Sequence, residues 1–580
     1  MRPLWKVALA LAAVVGAFPL PARAALVTQD LAFTASDGVT LHAILGGEGS
    51  LAPRPVIIEF SPYAPGCCPS YAGDDFNYVQ VHIRGTGRSD GRFDSMGPRI
   101  QADLAEFVAW ACDQPWSNGR LGLFGASASA IAVYHSLHLP LPCVDAAVLW
   151  SGTHELYRDL IYPGGIPNRG PSIGVLGLIV APWAAALPER LSEDAGSTPD
   201  NVLGFADAAT NSRRNPTLTA YWDERSFRGD VNDLPILMVD GFFDVESRGA
   251  FQAFQALRDD GAHLYVVGAH DGVPAGTGGD GAEREAWFQH YLRDVDNGVE
   301  THPRVSLWLA DGRREDLLAG TFVRVDADDW PVPGTTWEAL ALDPARSGSG
   351  TSINDGTLTL GTAATTATQF YPAVPSLPTA TDPPTTSLLA ANGGSGYSGN
   401  DLARAFPALT NMTIPEKLGL SYTTAPLAAD VVSAGPASLE IDLAGAAGAT
   451  DIWAVISDVS PEGVANPVAV GRLRTAYPNI DPTRSLIDPQ TGWVVQPYGI
   501  FDAEEPPAPG AYRRYHVEFW PIGNRFKSGH RIRLHIVGVS AYYLESAPSL
   551  NSVRVGGPGG SRLLLPVLPG SELQAALASS

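Results

Sequence analysis

The run Leu121-Gly122-Leu123-Phe124-Gly125-Ala126-Ser127-Ala128-Ser129-Ala130 decides how the first half of this chain is read. Leu121 to Phe124 is a short apolar strand, and Ala128 to Leu137 has helical character. Between them Gly125, Ala126, Ala128 and Ser129 are all small. A strand that turns sharply into a helix crowds its flanking positions and needs such residues. The same turn lifts the side chain at its apex, here Ser127, clear of the sheet edge. The pattern is nearly Gly-x-Ser-x-Gly, with Ser129 where the second glycine is usual. Small residues alone fit an inert turn equally well, so the surroundings decide.

Those surroundings are strands and helices in alternation. Val56–Phe60, Tyr78–Ile83, Ala146–Trp150, Ile236–Val239 and Leu264–Val267 are apolar runs closed by turn residues. From Asp103 to Ala111, Leu104, Phe107, Val108 and Ala111 recur at helical spacing. This alternation predicts a parallel sheet covered on both faces. A serine hydroxyl is a poor nucleophile unless a base takes its proton and a carboxylate orients that base. Asp244 follows the strand that begins at Leu234, and His270 lies just past the next one. The order Ser, Asp, His is that of an α/β-hydrolase. Ser127 is therefore the expected nucleophile, His270 the general base and Asp244 the orienting acid. The Ala128 N–H and the Tyr63 hydroxyl, in the loop after an early strand, are the expected oxyanion donors.

The competitors are weaker. Asp240 sits in the last turn of its strand and is expected to point into the sheet. His263 begins its strand, at the wrong edge. His135 and His138 lie on the helix after the turn, while His530 and His535 are far along the chain.

Residues 1–24 read as a secretory signal: Arg2 and Lys6, an apolar run from Val7 to Phe18, then Ala22-Arg23-Ala24. The run is shorter than a bilayer span, so export without a lasting membrane anchor is expected, to the periplasm or the medium. Residues 25–154 and 232–310 form the expected catalytic domain, and 155–231 interrupt it as a helical cap. From 311 to 580 the pattern turns to short alternating strands such as Ser438–Leu443, Ile452–Ile456 and Arg531–Ile536, predicting an antiparallel sandwich. Pro375–Gly399 reads as a surface loop. The four cysteines, Cys67, Cys68, Cys112 and Cys143, allow three full pairings, and the sequence leaves the choice open. They include no Cys-x-x-Cys spacing, which argues against zinc or redox chemistry. With 38 Lys and Arg against 61 Asp and Glu, the net charge is −23, a field that repels nucleic acid.

Motifs spread along the chain resemble the family that includes cocaine esterase, X-Pro dipeptidyl-peptidases and α-amino-acid ester hydrolases. Ser61-Pro62-Tyr63 resembles the family's loop whose tyrosine supplies an oxyanion hydroxyl. Arg84-Gly-Thr-Gly-Arg-Ser-Asp-Gly-Arg-Phe93 is similar to its Arg-Gly loop, and Gln114 to Ser127 to the run before its nucleophile. Tyr157–Gly165 and Tyr221-Trp222 look like its cap segments, and Trp287–Val299 like its exit from the hydrolase domain. Asp458–Gly463, Gly471–Arg474 and Ser528–Leu534 resemble its jelly-roll domain. The resemblance implies a hydrolase domain, a helical cap and a jelly roll around one acyl pocket, and the roles given above to Ser127, Asp244, His270 and Tyr63. Two positions depart from the pattern: Ala128 stands where tyrosine is usual, and His82-Ile83 where an aspartate is usual.

The expected reaction is two-step acyl transfer from a small ester, amide or short peptide, which requires no metal or organic cofactor. Ester hydrolysis is the first expectation. An aminopeptidase releasing X-Pro dipeptides is the second, and it needs carboxylates for the substrate ammonium; Glu155, Asp159 and Glu246 are candidates, though a solvated surface role is expected of each. A third expectation, of another class, is a carbohydrate- or surface-binding protein with a relic hydrolase half.

Overall fold

The computed structural model describes residues 25–63, 75–168, 198–244, 246–268, 281–373, 415–538 and 547–578, with a few short stretches between them. Cys67, Cys68, His270, the signal segment and the whole Pro375–Gly399 stretch lie outside the described residues.

Among the described residues, nine strands build the amino-terminal half: β1 (Leu26–Thr34), β2 (Thr40–Glu48), β3 (Arg54–Ser61), β4 (Asn77–His82), β5 (Ser117–Ala126), β6 (Val144–Trp150), β7 (Ile236–Asp240), β8 (His263–Val266) and β9 (Val305–Ala310). β1 and β2 pair antiparallel, and β2 joins β4 antiparallel. From there the order β4-β3-β5-β6-β7-β8-β9 is parallel throughout. β4, β7, β8 and β9 are buried along their whole length. This accounts for near-continuous apolar runs where a one-sided sheet would alternate. The helices that cover the faces include α1 (Pro98–Cys112), α2 (Ala128–Ser136), α4 (Ser247–Leu257) and α5 (Gly281–Arg293), while α3 (Thr198–Arg214) lies in the segment between β6 and β7. On α1 the predicted stripe Leu104, Phe107, Val108 and Ala111 is buried, and Pro98 opens the helix where no N–H is needed. The sheet edges foreseen from sequence hold to within a few residues.

Glycines mark where helices press closest. A Cβ on Gly122 would meet Leu292 Cδ1 and Phe288 Cε1 at 2.8 Å, so β5 passes directly beneath α5. The Arg-Gly loop after β4 is pinned by charge. Arg84 pairs with the buried Asp103 of α1, its Nη2 lying 2.7 Å from Oδ1, and with Asp37 at 3.0 Å. His82, one of the two departures noted above, has a use there: its Nδ1 accepts the Arg88 N–H at 3.0 Å, closing the loop on itself.

Cys112 and Cys143 form a disulfide across 31 residues, tying the end of α1 to the start of β6. Closing a loop of that length stabilises by about 3–4 kcal/mol, chiefly through the unfolded chain. Replacing both cysteines by alanine should remove that amount in urea unfolding, and an unchanged midpoint would contradict it.

Beyond β9, β10 (Phe322–Ala327) turns back antiparallel to it. Among the described residues that follow, long antiparallel ladders dominate, with one parallel pair, Asn354–Leu360 beside Leu420–Thr423. Val431–Gly445 lies against Arg513–Phe526, and Asp451–Val459 sits between Ala465–Arg474 and Arg531–Val537. The antiparallel β region expected after residue 311 is present. Its strand Arg513–Phe526 touches β9 through Asn524 and Ala310, so the two halves share a continuous seam. No helix among the described residues is long and apolar enough to cross a membrane.

Candidate active site

Ser127 sits at the tip of β5 with φ 52° and ψ −121°, a left-handed backbone that an L-residue adopts only under constraint. The constraint is visible on both sides of the turn. The Ser127 N–H donates to Trp150 O at 2.8 Å, and its carbonyl accepts the Ile131 N–H at 3.0 Å as α2 begins. A Cβ on Gly125 would lie 2.5 Å from Ala130 N, so that position admits glycine alone. Ser127 and Ala128 keep partial exposure, while Ser129 and Ala130 behind them are buried.

Tyr63 reaches the same point from the loop after β3. Its hydroxyl accepts the Ala128 N–H at 3.1 Å and hydrogen-bonds with the Ser127 hydroxyl. Burial pushes the phenol up to about 12, and the charges of Glu246 and Glu59 add to the effect against the two hydrogen bonds. The group therefore stays a neutral O–H donor across the physiological range. The two expected oxyanion donors and the expected nucleophile thus meet in one place.

Asp244 lies in the turn between β7 and α4 and is buried. Its Oδ2 accepts the Ser151 hydroxyl at 2.7 Å and its Oδ1 the Glu246 N–H at 3.0 Å. Ser151 follows Trp150 at the end of β6, and its own N–H donates to Val239 O at 2.8 Å. The serine turn, the end of β6 and the aspartate turn are therefore stitched together along one carboxyl edge of the sheet. Asp240 is also buried there, hydrogen-bonded to Asp244. Burial, then the neighbouring Asp244 charge, raises its carboxyl well above the usual range. His270 follows β8 in the sequence and is outside the described residues.

The competing histidines are placed otherwise. Burial lowers His135 to about 3, and its Nδ1 faces Met96 O at 3.4 Å inside the fold. His263 is lowered to about 4 by burial and Arg304, with its ring packed on Trp287. His530 pairs with Asp458 at 2.5 Å and His535 with Glu416 at 3.0 Å, both in the carboxyl-terminal region.

A model described as X-Pro dipeptidyl-peptidase (S15 family) matches residues 36–271. A second, for the X-Pro dipeptidyl-peptidase C-terminal non-catalytic domain, matches residues 297–553. The chain belongs to the cocaine esterase and X-Pro dipeptidyl-peptidase family of serine hydrolases. Cocaine esterase of Rhodococcus sp. (strain MB1 Bresler) is 22% identical over 556 residues, covering 86% of this chain and 88% of the relative. A CocE/NonD family hydrolase from Staphylococcus aureus superposes with a TM-score of 0.73 at 17% identity, over 94% of each chain. An α-amino acid ester hydrolase does so with 0.69 at 16%, over 97% of this chain and all (100%) of the other. These likenesses establish an α/β-hydrolase catalytic domain followed by a carboxyl-terminal β domain.

Within this family member, one expectation needs correction. Glu155, Asp159 and Glu246 are buried, not solvated. Two of them are neutralised from inside the fold. Arg158 hydrogen-bonds Glu155. Arg248, on α4, reaches Asp159 at 2.5 Å, Glu155 at 3.6 Å and Glu518 of the β domain at 3.0 Å. Burial alone would raise the Glu155 carboxyl; Arg158 and Arg248 instead pull it down to about 2. Sequence reasoning missed this network because Arg248 and Glu518 are 270 residues apart. Only the helical phase of Arg248, on the buried face of α4, hinted at it.

Proposed function

We propose that this protein hydrolyses a carboxylic ester by two-step acyl transfer, with Ser127 as nucleophile, His270 as general base and Asp244 as its orienting acid. The observation that carries the reading is the turn at Ser127: a strained apex with the Ala128 N–H and the Tyr63 hydroxyl beside the serine. His270 takes the Ser127 proton as the oxygen attacks the carbonyl, and the two donors hold the oxyanion. Asp244 stabilises the imidazolium, which then protonates the leaving alcohol. Water repeats the sequence and frees the acid.

The ion network favours an ester over a peptide with a free amino terminus. At Glu155 or Asp159 an ammonium group would have to displace a guanidinium, leaving Arg158 or Arg248 buried without its counter-charge, so of the three carboxylates only Glu246 stays open to the peptidase alternative. Breaking a buried pair in that way costs several kcal/mol, about 3–5. The helical insertion around Tyr157–Gly165 and Thr198–Arg214 acts in this reading as a cap, with the β domain as a jelly roll closing the pocket. Export in an oxidising compartment is supported by the Cys112–Cys143 disulfide.

The test is a panel of chromogenic esters and aminoacyl anilides on the purified protein, with each anilide also offered N-acetylated. Turnover of esters with indifference to acetylation is expected. Selective cleavage of free-amine anilides would transfer the assignment to the dipeptidyl-peptidase type. Tyr63→Phe should lower kcat by roughly 10²–10³-fold, as loss of one oxyanion donor does, with KM little changed. An unaffected kcat would remove Tyr63 from the oxyanion site.

A further inference from the structure

The serine at position 129 is buried at the start of α2, in the place of the usual glycine, and its hydroxyl is engaged. Ser129 Oγ lies 3.3 Å from Glu59 Oε1 and 3.2 Å from Ser61 Oγ, both on β3. Glu59 is itself fixed from β4: its Oε2 accepts the Tyr78 hydroxyl at 2.5 Å and Gln80 Nε2 at 3.2 Å. Ser61 Oγ in turn accepts the Tyr63 N–H at 3.3 Å.

The proton count gives these contacts a direction. Each serine hydroxyl carries one proton. A carboxylate is a stronger acceptor than a hydroxyl, so the Ser129 proton goes to Glu59. The same Ser129 hydroxyl is placed to donate to Ser61 Oγ, and that Ser61 oxygen also accepts the Tyr63 N–H. The result is one chain of contacts, centred on the Ser129 hydroxyl, linking the backbone of Tyr63 to a carboxylate anchored on β4. Glycine at position 129 would leave that chain in two pieces.

We propose that Ser129, together with Ser61 and Glu59, is a positioning residue that fixes the spacing of the two oxyanion donors; this rests on the acyl-transfer reading above. The donors belong to different elements. Tyr63 rides on the loop after β3, and the Ala128 N–H on the first turn of α2. Ser129 adjoins Ala128 in the chain, and Ser61 lies two residues before Tyr63, so their contact ties the two elements beside the donors themselves. An oxyanion must lie about 2.7–3.1 Å from both donors, a tolerance that a loosely held loop exceeds.

Ser129→Ala and Ser129→Gly should each lower kcat about tenfold on a chromogenic ester, with KM within about twofold, as small displacements of a catalytic group do. The decisive readout is coupling. In a Tyr63→Phe background the same changes at position 129 should cost almost nothing further, because the donor they hold in place is gone. A serine that only fills space would give losses that multiply in full. Such additivity, or wild-type kcat in Ser129→Gly, overturns the relay while leaving the hydrolase reading intact. If Ser129→Ala does not fold, Ser61→Ala tests the same coupling. A wild-type protein inert toward esters, anilides and a fluorophosphonate would overturn both readings together.

Discussion

Ser127→Ala should reduce turnover of the best ester by roughly 10⁴-fold or more and abolish labelling by a fluorophosphonate. The size follows from the chemistry: without the hydroxyl no acyl-enzyme forms, and only binding and the oxyanion donors remain to speed attack by water. The local fold should survive. Alanine has a Cβ like serine, so the left-handed backbone at φ 52° is crowded to the same degree, held by the Trp150 and Ile131 contacts. Circular dichroism and the unfolding midpoint should therefore match the wild type. Retained turnover would refute the nucleophile assignment. Retained turnover with labelling elsewhere would direct attention to another serine, and loss of structure would be visible in the same measurements.

The turn at Ser127 was legible in the sequence because its causes are local. Small side chains flank one serine between a strand and a helix, and the steric crowding at Gly125 shows why no larger residue is found there. The buried parallel strands were legible for a similar reason: β3 to β9 lie inside the sheet, so each carries a short, mostly apolar run. The placement of Tyr63 beside Ala128 was anticipated, although the two are 65 residues apart, because strand order fixes which loops share the carboxyl edge.

What escaped the sequence depends on pairings between distant residues. Glu155 and Asp159 read as surface charges because their counter-ion Arg248 arrives on another element and brings Glu518 with it. The three open cysteine pairings narrowed only once α1 and β6 were seen to place Cys112 beside Cys143. Ser129 looked like a tolerated departure from a motif. Its hydroxyl acquires meaning only when Glu59 and Ser61, about 70 residues earlier in the chain, are found within reach of it. A one-dimensional pattern records what each residue needs from its neighbours in the chain. It is silent on charge compensation across a fold.

The sharpest test of the acid assignment compares two carboxyls at the end of β7. Asp244→Asn should lower kcat by roughly 10⁴-fold, whereas Asp240→Asn should leave it within a few-fold of the wild type. The difference comes from environment, since the residue type is the same. Asp244 accepts a hydroxyl from Ser151 and the backbone N–H of Glu246, contacts that favour its ionised form. Asp240 accepts the Gly241 N–H at 2.6 Å, and burial, then the neighbouring Asp244 charge, raises its carboxyl well above the usual range. Two adjacent buried carboxyls do not both ionise, and the better solvated by hydrogen bonds keeps the charge. In the proposed mechanism an amide at position 244 removes the negative charge that the imidazolium of the general base requires. At position 240 it replaces a carboxyl whose charge burial already disfavours by a group of similar shape. The kinetics of both variants should be measured with the unfolding midpoint of each, so that a folding defect is not mistaken for lost chemistry. A large loss in Asp240→Asn with an active Asp244→Asn would exchange the two roles, making Asp240 the acid of the triad and Asp244 its support.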